Sequence, residues 1–172
     1  MYNVIHPSFK HGKHFEIGNF CHILENCEVG DNVTVRDYVR LGKGTKIGNN
    51  VYLDSYVRSS GENRIGNNVV LRYGAEIARQ VTVEDDVFIS GNVATIFQTH
   101  QKKVGEPVKK SAFISKAGTV IGKGSFIGMN VVIGPGLKVG PKVVIGALAM
   151  VTKDCTIPGV YIGIPAKLVR KF

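Results

Sequence analysis

Aliphatic residues recur every six positions along most of the chain: Ile17, Ile23, Val29, Val35, Leu41, Ile47 and Leu53, then Ile65, Leu71, Ile77, Val83 and Ile89. Ser59 and Thr95 break the run, and after a gap it resumes at Ile121, Ile127, Ile133, Val139, Ile145, Val151 and Ile157. A helix buries residues spaced three and four apart, and a half-buried strand buries every second one. Six fits neither. The period therefore demands a repeat architecture, in which each unit buries its apolar face only against the units beside it.

The other hexad positions are patterned as well. The residue after the aliphatic is often glycine, as at Gly18, Gly30, Gly48, Gly66, Gly122, Gly128 and Gly146. Four residues after the aliphatic stands something small or β-branched, such as Cys21, Cys27, Val33, Val39, Thr45 or Val51. A parallel β-helix satisfies all of this: each hexad is a short strand plus a turn, and three hexads close a triangular coil of about 18 residues. The aliphatic side chain points inward, the small one fits the corner, and Gly or Asn permits the turn's backbone, as in Gly48-Asn49-Asn50 and Gly66-Asn67-Asn68. The repeat makes residues 1–172 one all-β domain.

Two stretches depart from the period. Between Thr95 and Ile121 lies IFQTHQKKVGEPVKKS, which predicts an extruded loop over about 96–114; loops on a rigid scaffold are where sites concentrate. At the other end Pro158-Gly159-Val160 closes the last coil, and IPAKLVRKF reads as a short basic helix or tail within 158–172. The charge follows these departures. The chain is +9 overall, yet residues 1–100 hold ten Lys/Arg and eleven Asp/Glu, while residues 101–172 hold twelve Lys/Arg against only Glu106 and Asp154. A polyanionic partner is expected at the C-terminal part. It is not nucleic acid, because these basic residues are not interleaved with stacking aromatics.

No apolar run approaches the ~18–20 residues of a membrane span, and the first twenty residues lack the apolar core of a secretion signal. Three cysteines, an odd number with no C-x-x-C pair, suit a reducing cytoplasm and neither a disulfide framework nor a structural zinc site.

The hexads, of the form [LIV]-[GAED]-x-x-[STAV]-x, resemble those of the hexapeptide-repeat acyltransferases, trimeric left-handed β-helix enzymes. The left hand is implied by the resemblance alone, since periodicity is silent on sense. G-A-L-A-M-V-T-K-D at 146–154, followed by G-I-P-A-K-L-V-R at 163–170, is similar to the acetyl-CoA-dependent sugar and nucleotide-sugar acetyltransferases. The resemblance implies that Ala147, Thr152 and Lys153 line a coenzyme groove between two subunits of a homotrimer, and that Lys167 and Arg170 meet the coenzyme phosphates. Lysine and arginine bind phosphate through charge-assisted bonds, which agrees with that role.

The resemblance also makes His100, in V-A-T-I-F-Q-T-H, the general base; Gln101 stands where proline is usual. Acetyl transfer from a thioester needs a group that takes the nucleophile's proton, and histidine suits this at neutral pH. Backbone N–H groups near Gly118 would hold the oxyanion. The galactoside-type enzymes carry an Asn where this chain reads LRYGAEIAR, so the acceptor is expected to differ from a galactoside. Asn92 is a candidate polar contact, and Arg72, Tyr73 and Arg79 are candidates for a nucleotide diphosphate.

The implied activity is metal-independent acetyl transfer from acetyl-CoA to a sugar. A nucleotide-linked amino sugar of surface-polysaccharide synthesis leads, and O-acetylation of a glycoside or another small hydroxyl acceptor is the alternative. A zinc-dependent carbonic anhydrase on the same scaffold needs three histidines, whereas only one lies beyond residue 22. A non-catalytic scaffold binding an anionic partner is the remaining reading.

Overall fold

The computed structural model describes residues 2–100, 113–115 and 118–172. The chain winds as a triangular prism whose three faces are parallel sheets. Face A has eight strands, from Val4–Ile5 to Met150–Val151; face B has seven, from Lys10–His11 to Lys138–Val139; face C has nine, from Glu16–Ile17 to Lys167–Lys171. Successive coils pair 18 residues apart, with Arg58 beside Glu76 on face A, Arg64 beside Thr82 on face B and Val70 beside Phe88 on face C.

Most strands are two residues long, and side chains alternate across a strand. The first residue of each pair therefore points out and the second, the hexad aliphatic, points in. Ile23, Leu41, Leu53, Leu71, Ile77, Ile89, Ile121, Ile127, Ile133 and Ile145 are all fully buried in one continuous stack.

The turns show why glycine and asparagine hold different positions. In Gly48-Asn49-Asn50 it is Asn50 that adopts the left-handed conformation, with φ of 56°. Its N–H donates to the Asp31 carbonyl of the coil above at 2.9 Å. Gly48 answers a different need: a Cβ there would lie 2.6 Å from Asn67 Oδ1 and 2.9 Å from the Gly66 carbonyl carbon of the next coil. The glycine lets coils approach, and the asparagine makes the bend. Asp31, Asn49, Asn67 and Asp85 then form a ladder down the B–C edge, each Oδ1 accepting a backbone N–H from the coil above at 2.7–2.8 Å.

Both breaks in the aliphatic run, Ser59 and Thr95, still point inward, with 1% and 5% of their surface exposed. They belong to a buried polar spine on the A–B edge. Thr45 Oγ1 and Ser59 Oγ are hydrogen-bonded at 2.6 Å, and Ser59 Oγ also donates to Asn63 Oδ1 at 2.6 Å. Asn63 Nδ2 donates to the Ala78 carbonyl, and Ala78 N–H donates to Thr95 Oγ1 at 2.7 Å. The spine ends at the residue from which the loop departs.

The C-terminal segment decides between the helix and the tail. It contains no helix: residues Lys167–Lys171 form a strand antiparallel to Gly159–Ile162, covering the last strand of face C. An uncovered edge would present a row of unpaired backbone groups, and this return satisfies it. The final coil is also shorter than the repeat. Val139 pairs with Cys155, 16 residues on, and Val143 with Gly159, also 16 on. Asp154 Oδ1 accepts the Lys138 N–H at 2.9 Å and anchors the shortcut. Ile157, in register by period, is consequently 47% exposed; Cys155 (2%) takes its interior place on face B, and Tyr161 (6%) takes the next one on face C, its hydroxyl bonded to the Ile157 backbone.

Candidate functional site

The excursion between Thr95 and Ile121 takes 26 positions where a hexad takes six, so 20 residues leave the A–B edge before Val120–Ile121 rejoins face B beside Thr82–Val83. Its root is a hairpin: Gln98–His100 runs antiparallel to Phe113–Ser115, with His100 opposite Phe113. Gln101 and the loop's cluster of lysines lie outside the described residues. The last solenoid residue before the hairpin, Ile96, donates its N–H to the Ile133 carbonyl at 2.9 Å, so the root is locked to the coil below. Gly118, the candidate oxyanion position, has φ of 87° and nothing within 4 Å of the place a Cβ would take.

Beside the hairpin root, face A holds a cavity of about 730 Å³. It is lined by Ser60, Glu76, Ala78, Arg79, Ala94 and Thr95 of the coils and by Ile96 to Thr99 of the root. Ala94 is the outward residue of its strand, and its small side chain leaves this space open. His100 follows the lining directly in sequence.

The other expected residues distribute over the prism's edges. Ala147 lies exposed on the C–A edge, in the turn Gly146–Ala149, whereas Thr152 and Lys153 lie exposed on the A–B edge; face A separates them. Lys167 and Arg170 lie on the covering strand of face C, where the Arg170 guanidinium sits 5.4 Å from the Phe172 ring centroid. Turn residues 163–166 bind back to face A, through Met150 N–H to the Gly163 carbonyl and Ala166 N–H to the Met150 carbonyl.

Arg72, Tyr73 and Asn92 share the C–A edge, away from His100. Arg72 Nε is 3.4 Å from Asp54 Oδ2. Asn92 is a turn residue with φ of 54° whose Oδ1 packs against Gly74, 2.5 Å from the place a Cβ would take there. Arg79 is on the A–B edge, bound to Glu62. That guanidinium is the largest cause of the lowered Glu62 carboxyl pKa.

Two features escaped the sequence reading. Tyr2, Phe20, Tyr38, Tyr56 and Tyr73 stack in one ladder down the C–A edge, with centroids 6.3, 5.0, 4.8 and 5.3 Å apart. Phe20, Tyr38 and Tyr56 adopt left-handed backbone (φ 58–64°), a conformation bulky side chains avoid. Exposed Met129, Leu148 and Ile164 continue the line to the far end of the prism. The second feature is a row of arginines on face A. Both repeat at intervals of about 18, a signal visible in the sequence once the coil length is known.

Among the described residues no three His, Cys, Asp or Glu side chains converge as a metal site, and no helix is long and apolar enough to cross a membrane. The three cysteines are free and buried.

The family of the bacterial transferase hexapeptide (six repeats) matches residues 10–43 and 118–153. No curated protein matches the chain. Among solved structures, a UDP-N-acetylglucosamine acyltransferase from Campylobacter jejuni is similar with a TM-score of 0.76 at 16% identity, over 98% of this chain and 73% of that one. A variant of AntD, an N-acyltransferase from Bacillus cereus in complex with dTDP and coenzyme A, is similar with a TM-score of 0.60 at 21% identity, over 94% and 83%. A galactoside acetyltransferase in complex with coenzyme A gives 0.54 at 26% identity, over 82% and 65%. Repeats, coils and likenesses agree: the chain is built of hexapeptide repeats, has the left-handed parallel β-helix fold, and is similar to sugar and nucleotide-sugar acyltransferases of that fold.

Proposed function

We propose that the protein is an acetyl-CoA-dependent acetyltransferase that N-acetylates a nucleotide-linked amino sugar for surface polysaccharide. The observation that carries the reading is the single long break in the solenoid, which sets the strand ending at His100 against a cavity on face A. The acceptor amine occupies that cavity and attacks the thioester carbonyl. As the C–N bond forms, His100 takes the amine's proton, and the coenzyme leaves as the thiol once it is protonated. Support for the donor comes from the two C-terminal segments, whose residues gather on the last coils, and from similar folds solved with coenzyme A.

The reading includes a homotrimer. Ala147 and the Thr152–Lys153 pair stand at opposite margins of face A, so a groove formed by the C–A edge of one chain and the A–B edge of the next offers both to one coenzyme. The apolar ladder on the C–A edge supports this, because an exposed stripe of that length marks a surface that another protein covers. Three buried free thiols suit a reducing cytoplasm.

The test is thiol release from acetyl-CoA against a panel of nucleotide-linked amino sugars, with His100→Ala beside the wild type. Turnover should fall by at least ~10²-fold while coenzyme binding by calorimetry survives. Unchanged turnover removes His100 as the base, and absence of coenzyme A binding at millimolar concentration removes the acetyltransferase reading.

A further inference from the structure

The outward residues of face A form one straight row: His22, Arg40, Arg58, Glu76, Ala94 and Val132, each in register with the next. Neighbouring strands stand about 4.8 Å apart, so Arg40 and Arg58 bring like charges side by side, which destabilises a sheet unless something answers them. Within the row only Glu76, one rung from Arg58, carries the opposite charge, and it makes no ion pair with that arginine. Among the described residues neither arginine has an ion-pair partner, and Arg40 Nη1 reaches only the Ser59 carbonyl at 3.5 Å.

The carboxylates that flank the row are engaged elsewhere. Glu25 pairs with Lys43 at 3.0 Å, Glu62 with Arg79, and Asp54 with Arg72 at 3.4 Å. Asp37 accepts the Asn19 N–H at 2.7 Å. Face B shows the contrast in part. In its groove of about 630 Å³ Lys46 pairs with Glu28 at 3.4 Å and Lys123 with Asp86 at 3.4 Å, and Arg64, one rung from Lys46, is the one guanidinium there without an ion-pair partner among the described residues, with no second free one beside it.

One rung below Arg58 the row changes sign. Glu76 faces out into the cavity beside the hairpin root, and its carboxylate has no hydrogen-bond or ion-pair partner among the described residues. One rung further, Ala94 leaves room for a ligand's ring. From Arg58 to Ala94 is two rungs, roughly 10 Å.

We infer that face A is the acceptor site, and that it takes a phosphate ester carrying a primary amine. The phosphoryl groups lie across Arg40 and Arg58, the ammonium lies against Glu76, and the sugar ring lies over Ala94 at the foot of the hairpin. Arginine's planar fork meets phosphate oxygens in pairs, so two guanidiniums one rung apart form a cradle for a diphosphate. Glu76 selects the amine by charge and holds it beside the strand that ends at His100, whereas a hydroxyl acceptor gains nothing from it. This places the phosphates on face A and not at Arg72 and Tyr73, which sit on the neighbouring edge. The inference rests on the acetyltransferase reading for the identity of the reaction, but its binding chemistry stands on the row itself.

The test is calorimetry on the full chain with pyrophosphate, UDP, dTDP and coenzyme A as probes. The double variant Arg40→Gln/Arg58→Gln should weaken pyrophosphate and nucleoside diphosphate binding tenfold or more, the scale of a charge-assisted bond, and leave coenzyme A affinity within about twofold. No diphosphate binding by the wild type, unchanged affinity in the double variant, or an equal loss for coenzyme A overturns the cradle. The last outcome would assign the arginines to the coenzyme's own phosphates. A second arm compares glucosamine 1-phosphate with glucose 1-phosphate. The wild type should prefer the amine, and Glu76→Gln should bind both alike; no preference in the wild type removes Glu76 from the site. Failure here with coenzyme A still bound and acetyl still transferred leaves the acetyltransferase reading standing.

Discussion

Asn63→Ala probes the polar spine from which the loop departs. Asn63 is 0% exposed, and its Oδ1 accepts from both Ser59 Oγ at 2.6 Å and Gly61 N–H at 3.0 Å while its Nδ2 donates to the Ala78 carbonyl. Truncation leaves two buried backbone groups, the Gly61 N–H and the Ala78 carbonyl, without partners. The Ser59 hydroxyl keeps Thr45 Oγ1 at 2.6 Å. Each orphaned buried group costs about 1–3 kcal/mol, so the variant should lose about 2–6 kcal/mol. The assay is the guanidinium midpoint at unchanged slope, which reports stability without a change in surface exposed on unfolding. Two controls set the scale. Leu53→Ala empties a fully buried apolar position and should lose about 2–5 kcal/mol. Ser59→Ala removes a hydroxyl whose partners both retain another bond, and should lose about 1 kcal/mol. If Asn63→Ala loses less than about 1 kcal/mol, or no more than Ser59→Ala, the spine is packing and not a hydrogen-bonded support.

Two further outcomes follow from the edges and the core. Tyr38→Asn/Tyr56→Asn removes the middle of the apolar ladder at positions where asparagine tolerates the left-handed backbone, as Asn50 and Asn68 do. The circular dichroism should stay native while sedimentation shows the proposed trimer dissociating, and an unchanged mass would show that the ladder is not the contact. Burial pushes all three thiols up, Cys155 to about 11. Native protein should resist a thiol reagent at pH 8 and release three equivalents when unfolded. Because the folded state holds the Cys155 proton to higher pH than the unfolded thiol, near ~8.5, stability should fall as pH rises from there through about 11. Cys155→Ala should flatten that part of the profile; an identical profile would assign the loss to other groups.

How much of this was legible follows from what each residue answers to. The inward aliphatics answer to their own coil and its two neighbours, so a period of six exposes them directly. Ser59 and Thr95 show as breaks, but their purpose depends on Asn63 and on the Ala78 backbone of a different coil, which no single hexad contains. Gly48 was legible as a turn glycine, yet its reason is the approach of Asn67 and Gly66 and not its own bend. At the C-terminus the pattern is ambiguous in principle. Strands alternate with period two, so shortening the coil by two residues leaves the alternation intact, and the six-residue count chooses Ile157 where the chain uses Cys155. IPAKLVRKF reads as a helix or tail because nothing in it declares the open sheet edge it pairs with.

The site divides in the same way. His100 stands out because it falls in the one long break, whereas the edge on which each candidate coenzyme residue sits requires the coil to be closed. Once it is closed, counting by 18 puts Arg40, Arg58 and Glu76 in one row. Their meaning then comes from what is missing beside them, a partner for the two guanidiniums among the described residues. That is a property of the folded face, because in the sequence Asp37 and Asp54 lie only three and four residues from those arginines and read as their natural mates, while in the prism Asp54 serves Arg72 and Asp37 caps Asn19.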